Sequence, residues 1–196
     1  MKPEVMRAGL ALVMSLLLLA GCQTRPPVAD DLHFEEADAL RQWDLSARMA
    51  YRSAEENGSA TLHWEQRDRH GEIRFSGPMG LGGARLEWDQ DQATLDTGRE
   101  QATAPSTGEL AWQLTGLWLP VEALEYWVRG LPWPESEAHG VRRDRKGRLR
   151  ELHQMGWKLE FDRYEEVTGI DLPHRIRAHH GDDQFTLVVH DWRPRS

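Results

Sequence analysis

Trp43-Asp44-Leu45-Ser46-Ala47-Arg48-Met49-Ala50-Tyr51-Arg52 places an apolar side chain at every second position from Trp43 to Tyr51. Asp44, Ser46 and Arg48 stand between them, and Arg52 follows. A strand sends successive side chains to opposite faces. This period of two therefore predicts a strand with one buried and one solvated face. The pattern recurs outward from there. Ala60, Leu62 and Trp64 alternate with Thr61, His63 and Glu65. Ile73 and Phe75 alternate with Glu72, Arg74 and Ser76, and Ala84, Leu86 and Trp88 with Arg85, Glu87 and Asp89. Asn57-Gly58, His70-Gly71 and the glycine-rich stretch 77–83 lie between these runs and read as turns. Ala93 to Leu95 and Glu100 to Thr103 predict a weaker hairpin.

On the N-terminal side, Leu32, Phe34, Ala37 and Leu40 have near-helical spacing, so a helix is expected over Leu32 to Gln42. On the C-terminal side the period changes after residue 105. Ser106-Thr107-Gly108-Glu109 has capping-box spacing, and Leu110, Ala111, Leu114 and Leu117 form one stripe behind it. A second short helix follows. Pro120 suits its first turn, Ala123, Leu124, Trp127 and Val128 form its apolar side, and Gly130 suits its C-terminal cap. Strands then return at Arg148 to His153, Trp157 to Asp162, Ile170 to Ala178 and Phe185 to Trp192, with turns at Lys146-Gly147 and Gly181-Asp182. Pro173 suits an edge position or a bulge. The expected fold is mainly β: one curved antiparallel sheet or incomplete, unclosed β-barrel. Helices from an insertion at about 106–130 would cover its open side.

The first residues read as a signal peptide. Lys2 and Arg7 form a basic start, and Ala8 to Ala20 is apolar except for Ser15, too short to span a bilayer stably. Glu4 is out of place in that start, and translation from Met6 instead of Met1 would give a cleaner signal. Leu19-Ala20-Gly21-Cys22 resembles the bacterial lipobox, which implies S-diacylglycerol and N-acyl lipid on Cys22 after cleavage. Gln23, where Asp would favour inner-membrane retention, points to the outer membrane of a Gram-negative bacterium. Residues 1–21 are thus expected to be removed, 22–31 to form a lipidated cysteine and proline-containing tether, and 32–196 to form one domain.

Composition narrows the function. The whole chain carries −8; residues 1–21 hold Lys2, Arg7 and Glu4, a net +1, so the mature chain is near −9. That balance argues against a nucleic-acid partner. Cys22 is the only cysteine, which leaves no thiol for a disulfide, redox pair or zinc-thiolate site. His179-His180 would point to opposite faces of a strand, and HExxH, GxSxG and P-loop patterns are missing. No catalytic residue, metal or cofactor is expected. All nine tryptophans lie in the mature part. They read either as core packing or as the lining of a pocket for an apolar ligand. The basic run Arg142 to Arg148 reads as a solvated hairpin, or as a surface attracted to anionic headgroups or an acidic partner.

Several segments together resemble the LolB family of outer-membrane lipoproteins. They are the lipobox, Gly77-Pro78-Met79-Gly80-Leu81-Gly82, Trp112-Gln113-Leu114-Thr115-Gly116 with Leu119-Pro120, and Tyr126-Trp127-Val128-Arg129-Gly130-Leu131-Pro132. The resemblance implies an unclosed barrel with a helical lid and a cavity for acyl chains. It implies a monomer facing the periplasm that accepts acylated lipoproteins from the soluble carrier LolA and inserts them among outer-membrane phospholipids. Trp64, Leu86, Trp88, Trp157, Leu159 and Phe161 are the candidates for the cavity on the sheet, with Leu114, Leu124 and Trp127 on the helices. The resemblance assigns membrane contact to an apolar residue projecting between Pro78 and Gly80, here Met79, with Leu81 sharing the task. The residues alone allow Met79 and Leu81 to fold back into the core instead.

The chemistry fits that implication. Hiding one acyl chain of about fourteen methylenes from water is worth on the order of 11 kcal/mol, and three chains on the order of 30 kcal/mol. Such a cargo needs a dry cavity on either side of a handover. Two other readings belong to different classes: a lipid-anchored hydrolase of envelope glycans, and a structural envelope lipoprotein without a ligand.

Overall fold

The computed structural model describes residues 35–54, 57–77, 83–115 and 119–195, with the side chains of 114 and 115 excluded. Cys22, the expected signal segment and tether, and Pro78, Met79, Gly80 and Leu81 lie outside the described residues.

Eleven strands form one antiparallel sheet. They are β1 (Gln42–Arg52), β2 (Asn57–Arg67), β3 (His70–Ser76), β4 (Ala84–Trp88), β5 (Ala93–Asp96) and β6 (Gln101–Ala104). After the helices come β7 (Ala138–Arg143), β8 (Leu149–Gln154), β9 (Trp157–Val167), β10 (Ile170–His180) and β11 (Asp183–Pro194). Their order is β6-β5-β4-β3-β2-β1-β11-β10-β9-β8-β7. Every neighbour pair is a sequential hairpin except β1 with β11. The sheet ends at β6 and β7, which do not pair with each other, so the barrel is unclosed. The segment joining those two edges carries the helices Thr107–Thr115 and Val121–Trp127.

The alternation read from the sequence is the alternation of burial. Trp43, Leu45, Ala47, Met49 and Tyr51 are buried on β1. Ala60, Leu62 and Trp64 follow on β2, Ala84, Leu86 and Trp88 on β4, and Trp157, Leu159 and Phe161 on β9. On β11 the register slips opposite Ser46 and Ala47, so that His190 is left without a β1 partner. Such a bulge shifts the side-chain phase of a strand. Val189 and Trp192, three residues apart, are therefore both buried.

Two expected turns are corrected. Asn57 and Gly58 belong to β2, paired with Arg52 and Tyr51, and His70 and Gly71 open β3. The glycines serve aromatic rings instead. A Cβ on Gly58 would sit 2.8 Å from Tyr51 Oη, and one on Gly71 would sit 2.1 Å from Trp88 Cζ2. Each ring lies across the neighbouring strand where only a hydrogen leaves room. The β2–β3 reversal is instead made at Asp68, which takes φ 52°.

Pro173 lies on β10, an interior strand, yet its local position is that of an edge. It pairs with Tyr164 of β9, while the β10–β11 ladder begins only at Arg175. No β11 acceptor is deprived of a donor there. The expected N-terminal helix ends earlier than its spacing suggested: residues 35–39 are helical, the chain is already in β1 by Gln42, and Leu32 and Phe34 lie outside the described residues.

Candidate functional site

The described cavity candidates share one side of the sheet and its cover. Trp64, Leu86, Trp157, Leu159 and Phe161 are buried, as are Leu124 and Trp127 on the second helix. Trp88 is the least enclosed, with 8% exposure. Leu114 is on the first helix, and its side chain is outside the described set. In this conformation the inner face is therefore closed to water. Six tryptophans are buried inside: Trp43, Trp64, Trp88, Trp127, Trp157 and Trp192. Trp112 differs, with half its surface exposed on the first helix.

Four indoles run in file across the inner face. Ring centroids are 5.1 Å apart for Trp192 and Trp43, 4.9 Å for Trp43 and Trp64, and 5.8 Å for Trp64 and Trp88. Such tilted and edge-on contacts suit the aromatic quadrupole. Trp157 continues the aromatic lining on β9, 5.4 Å from Phe185.

Two buried glutamines were not singled out in the sequence. Gln66 occupies an inward position two residues beyond Trp64 and accepts its indole N–H at 3.0 Å. Gln154 accepts from Trp127 Nε1 at 2.8 Å and from Trp133 N at 2.9 Å, and its amide donates to the carbonyls of Trp133 and Ser136. The available signal was position: each stands where the alternation of its strand requires an inward side chain.

Arg129 is the other buried polar residue of consequence, with no exposed surface. It follows the second helix, which ends in a Schellman turn: Gly130 at φ 74°, Gly130 N donating to Trp127 O and Leu131 N to Tyr126 O. Arg129 Nη1 donates to the carbonyls of Ala37 and Leu40 at 3.1 and 3.0 Å, and Nε to Glu125 O. Those first two carbonyls end the 35–39 helical segment, where a cation is favoured. Burial pushes the Glu125 carboxyl up, against the pull of Arg129 beside it. The covering helix and the N-terminal segment are thereby joined through one side chain.

At the start of the first helix, Thr107 donates its hydroxyl to Glu122 Oε1 at 2.6 Å. The Thr107 backbone N–H meets the same oxygen at 3.3 Å, so Glu122 of the following helix serves this helix start.

The outer face is polar and cross-paired. Arg175 grips Asp162 with two bonds of 2.6 and 2.7 Å, and Arg67 meets Asp44 at 2.6 Å. A cleft of about 310 Å³ opens on this face, lined by Asp44, Ser46, His63, Glu65, Arg74 and Arg195 among others. Burial alone would raise the Asp44 carboxyl, but bonds from Arg195 and Arg67 outweigh it and hold the group below its ordinary value. The basic run 142–148 forms the β7–β8 hairpin. Arg148 pairs with Asp144 across its turn and with Asp171 of β10. His179 lies opposite Lys158, while the His180 ring stacks on Trp157 at 5.3 Å. Among the described residues, no group of three or more His, Cys, Asp or Glu is placed to hold a metal ion. No described helix is long and apolar enough to cross a membrane.

The chain is one of a class of unclosed antiparallel barrels with an apolar inner face, a charged outer face and a helical cover. A LolA superfamily protein of Nitrosomonas europaea has this fold, with a TM-score of 0.57 at 9% identity over 87% of this chain and 95% of that one. So does a Vibrio parahaemolyticus domain assigned to outer membrane lipoprotein sorting, with a TM-score of 0.52 at 12% identity over 86% and 94%. Sequence narrows the class. Residues 41–192 match the family described as outer membrane lipoprotein LolB. The outer-membrane lipoprotein LolB of Stutzerimonas stutzeri is 39% identical over 91% of this chain and 92% of its own. That of Alkalilimnicola ehrlichii is 38% identical over 95% and 98%. The chain belongs to the LolB family of outer-membrane lipoproteins.

Proposed function

We propose that this chain is the outer-membrane acceptor of lipoprotein sorting. It takes acylated lipoproteins from the periplasmic carrier LolA into the space between its inner sheet face and its helices, and inserts them into the outer membrane. The observation that carries this reading is the unpaired gap between β6 and β7, covered by helices rather than sealed by hydrogen bonds. A cover of packed side chains can part without breaking a backbone ladder. The face beneath it is lined by Trp64, Leu86, Trp88, Trp157, Leu159 and Phe161, with Leu124 and Trp127 above.

In this reading the closed conformation is the unloaded one. Acyl chains displace the covering helices and take over the apolar contacts those helices made. The exchange costs little, because one dry surface replaces another. Cys22 carries the lipid that holds the domain at the outer membrane on its periplasmic side, and the domain works as a monomer. Pro78, Met79, Gly80 and Leu81 form the tip that touches phospholipid during release. No covalent step is involved, so the site needs no catalytic group, cofactor or metal.

The deciding experiment is a transfer assay. Purified carrier loaded with an acylated lipoprotein is mixed with the purified full chain in outer-membrane vesicles, and the cargo's location is followed. The expected result is movement of cargo from the carrier into the vesicles only when the chain is present. Equal movement without it, or retention of the cargo on the carrier, would overturn the reading.

A further inference from the structure

The inner face treats its tryptophans unequally. The indole N–H of Trp64 is met by Gln66 and that of Trp127 by Gln154. The indole N–H groups of Trp43 and Trp192 are buried too, yet neither has a hydrogen-bond partner among the described residues. Buried donors are nearly always paired, and an orphan costs roughly 1–3 kcal/mol. The edge-on contact between these two rings offers at most a weak N–H to π interaction. Their placement is also built. The bulge at His190 brings Trp192 to the inner side, where its ring lies 5.1 Å from that of Trp43. Both sit where β1 begins and β11 ends, Trp43 opposite Pro194 and Trp192 opposite Leu45.

We propose that Trp43 and Trp192 form a carbonyl-recognition site for the acyl groups of the cargo. An indole N–H only donates, and an ester or amide carbonyl only accepts. Plain hydrocarbon would leave both donors orphaned, whereas acyl chains bring carbonyl oxygens at their polar ends. The closeness of the two rings suits two acyl carbonyls borne on one small scaffold. These residues thus read the linkage of the lipid, while the other aromatic side chains accept its length. The proposal rests on the acyl-binding reading above and adds a chemical preference to it.

The test compares two lipids that differ only at the linkage: 1-palmitoylglycerol, an ester, and 1-O-hexadecylglycerol, an ether. Each is titrated into the full chain held in dodecyl maltoside, a detergent without carbonyl groups, with indole ¹⁵N–¹H resonances as the readout. The ester is expected to bind about tenfold more tightly, in line with one or two net hydrogen bonds. It should shift the Trp43 and Trp192 indole protons downfield. In the Trp43→Phe, Trp192→Phe double variant the ether should bind as before and the preference should disappear. Should Phe loosen the core, benzothienylalanine at both positions keeps the bicyclic shape and removes only the N–H. Equal binding of ester and ether by the unaltered chain, or a preference that survives removal of both N–H groups, overturns the carbonyl assignment and leaves acyl binding standing. Failure of both lipids to bind overturns acyl binding itself, and the assignment with it.

Discussion

Trp127 of the second helix donates its indole N–H to Gln154 of β8 at 2.8 Å, and this bond fastens the cover to the sheet. Gln154 makes three further hydrogen bonds in the same place, to the backbone of Trp133 and Ser136. Gln154→Leu keeps the side chain's bulk and strips all four bonds. The variant should lose about 3 kcal/mol of stability, the cost of several buried groups left unpaired. Urea unfolding measures it, and a midpoint equal to that of the unaltered chain would refute the role given to Gln154.

Gly71 lies opposite Trp88, with the indole where a Cβ would be. Gly71→Ala should destabilise the domain by about 2–3 kcal/mol through overpacking. In a Trp88→Phe background the smaller ring frees that space, so the same substitution should cost at least about 1 kcal/mol less. A double-mutant cycle in urea separates this contact from any general intolerance of β3.

Acid should loosen the junction of β1 with the C-terminal residues. Asp44 sits between Arg67 and Arg195, and its folded-state value is depressed. A depressed carboxyl contributes stability above its unfolded value, near pH 4, and loses it as pH falls through the folded value. Asp44→Asn should therefore be less stable than the unaltered chain at pH 7, with the difference shrinking towards pH 3. Thermal melts at intervals across that range check the sign. A difference that stays constant with pH would remove the electrostatic explanation.

Met79→Glu tests the tip expected from the sequence. The variant should fold normally and still accept cargo from the carrier, but insertion into phospholipid should fall at least tenfold. Circular dichroism and the transfer assay, run on one preparation, separate folding from delivery. Full delivery by the variant would end the assignment.

Much of this architecture could be read from the residues, for a physical reason. Strands with one wet and one dry face write their geometry as alternation, and Trp43 to Tyr51 does so without a break. Where both faces are wet the signal disappears. Ala138-His139-Gly140-Val141-Arg142-Arg143 is edge strand β7 with no buried residue, and the sequence offered no period to find it. Gly58 and Gly71 misled because glycine has two uses, and here the absent side chain matters more than a turn. The described cavity candidates were legible as buried positions. The distinction among tryptophans was not, because whether an indole meets Gln66, Gln154 or nothing depends on contacts across strands.

The sheet order sets a schedule for folding. Six strands from β1 to β6 can add one hairpin at a time as the chain emerges, and β7 to β10 can do the same. The two halves share no ladder until β11 is laid between β1 and β10. Its pairing with β1 joins residues more than 130 positions apart, from Arg52 with Gln184 to Trp43 with Pro194. Loop-closure entropy makes such contacts slow to form. Until that last strand arrives, each half presents a bare edge and part of an apolar wall, the state most open to aggregation and to holdase chaperones. Synthesis from the N-terminus thus delays the complete inner wall to the final step, and a chain stopped short of β11 is left as two unjoined meanders rather than a smaller working barrel.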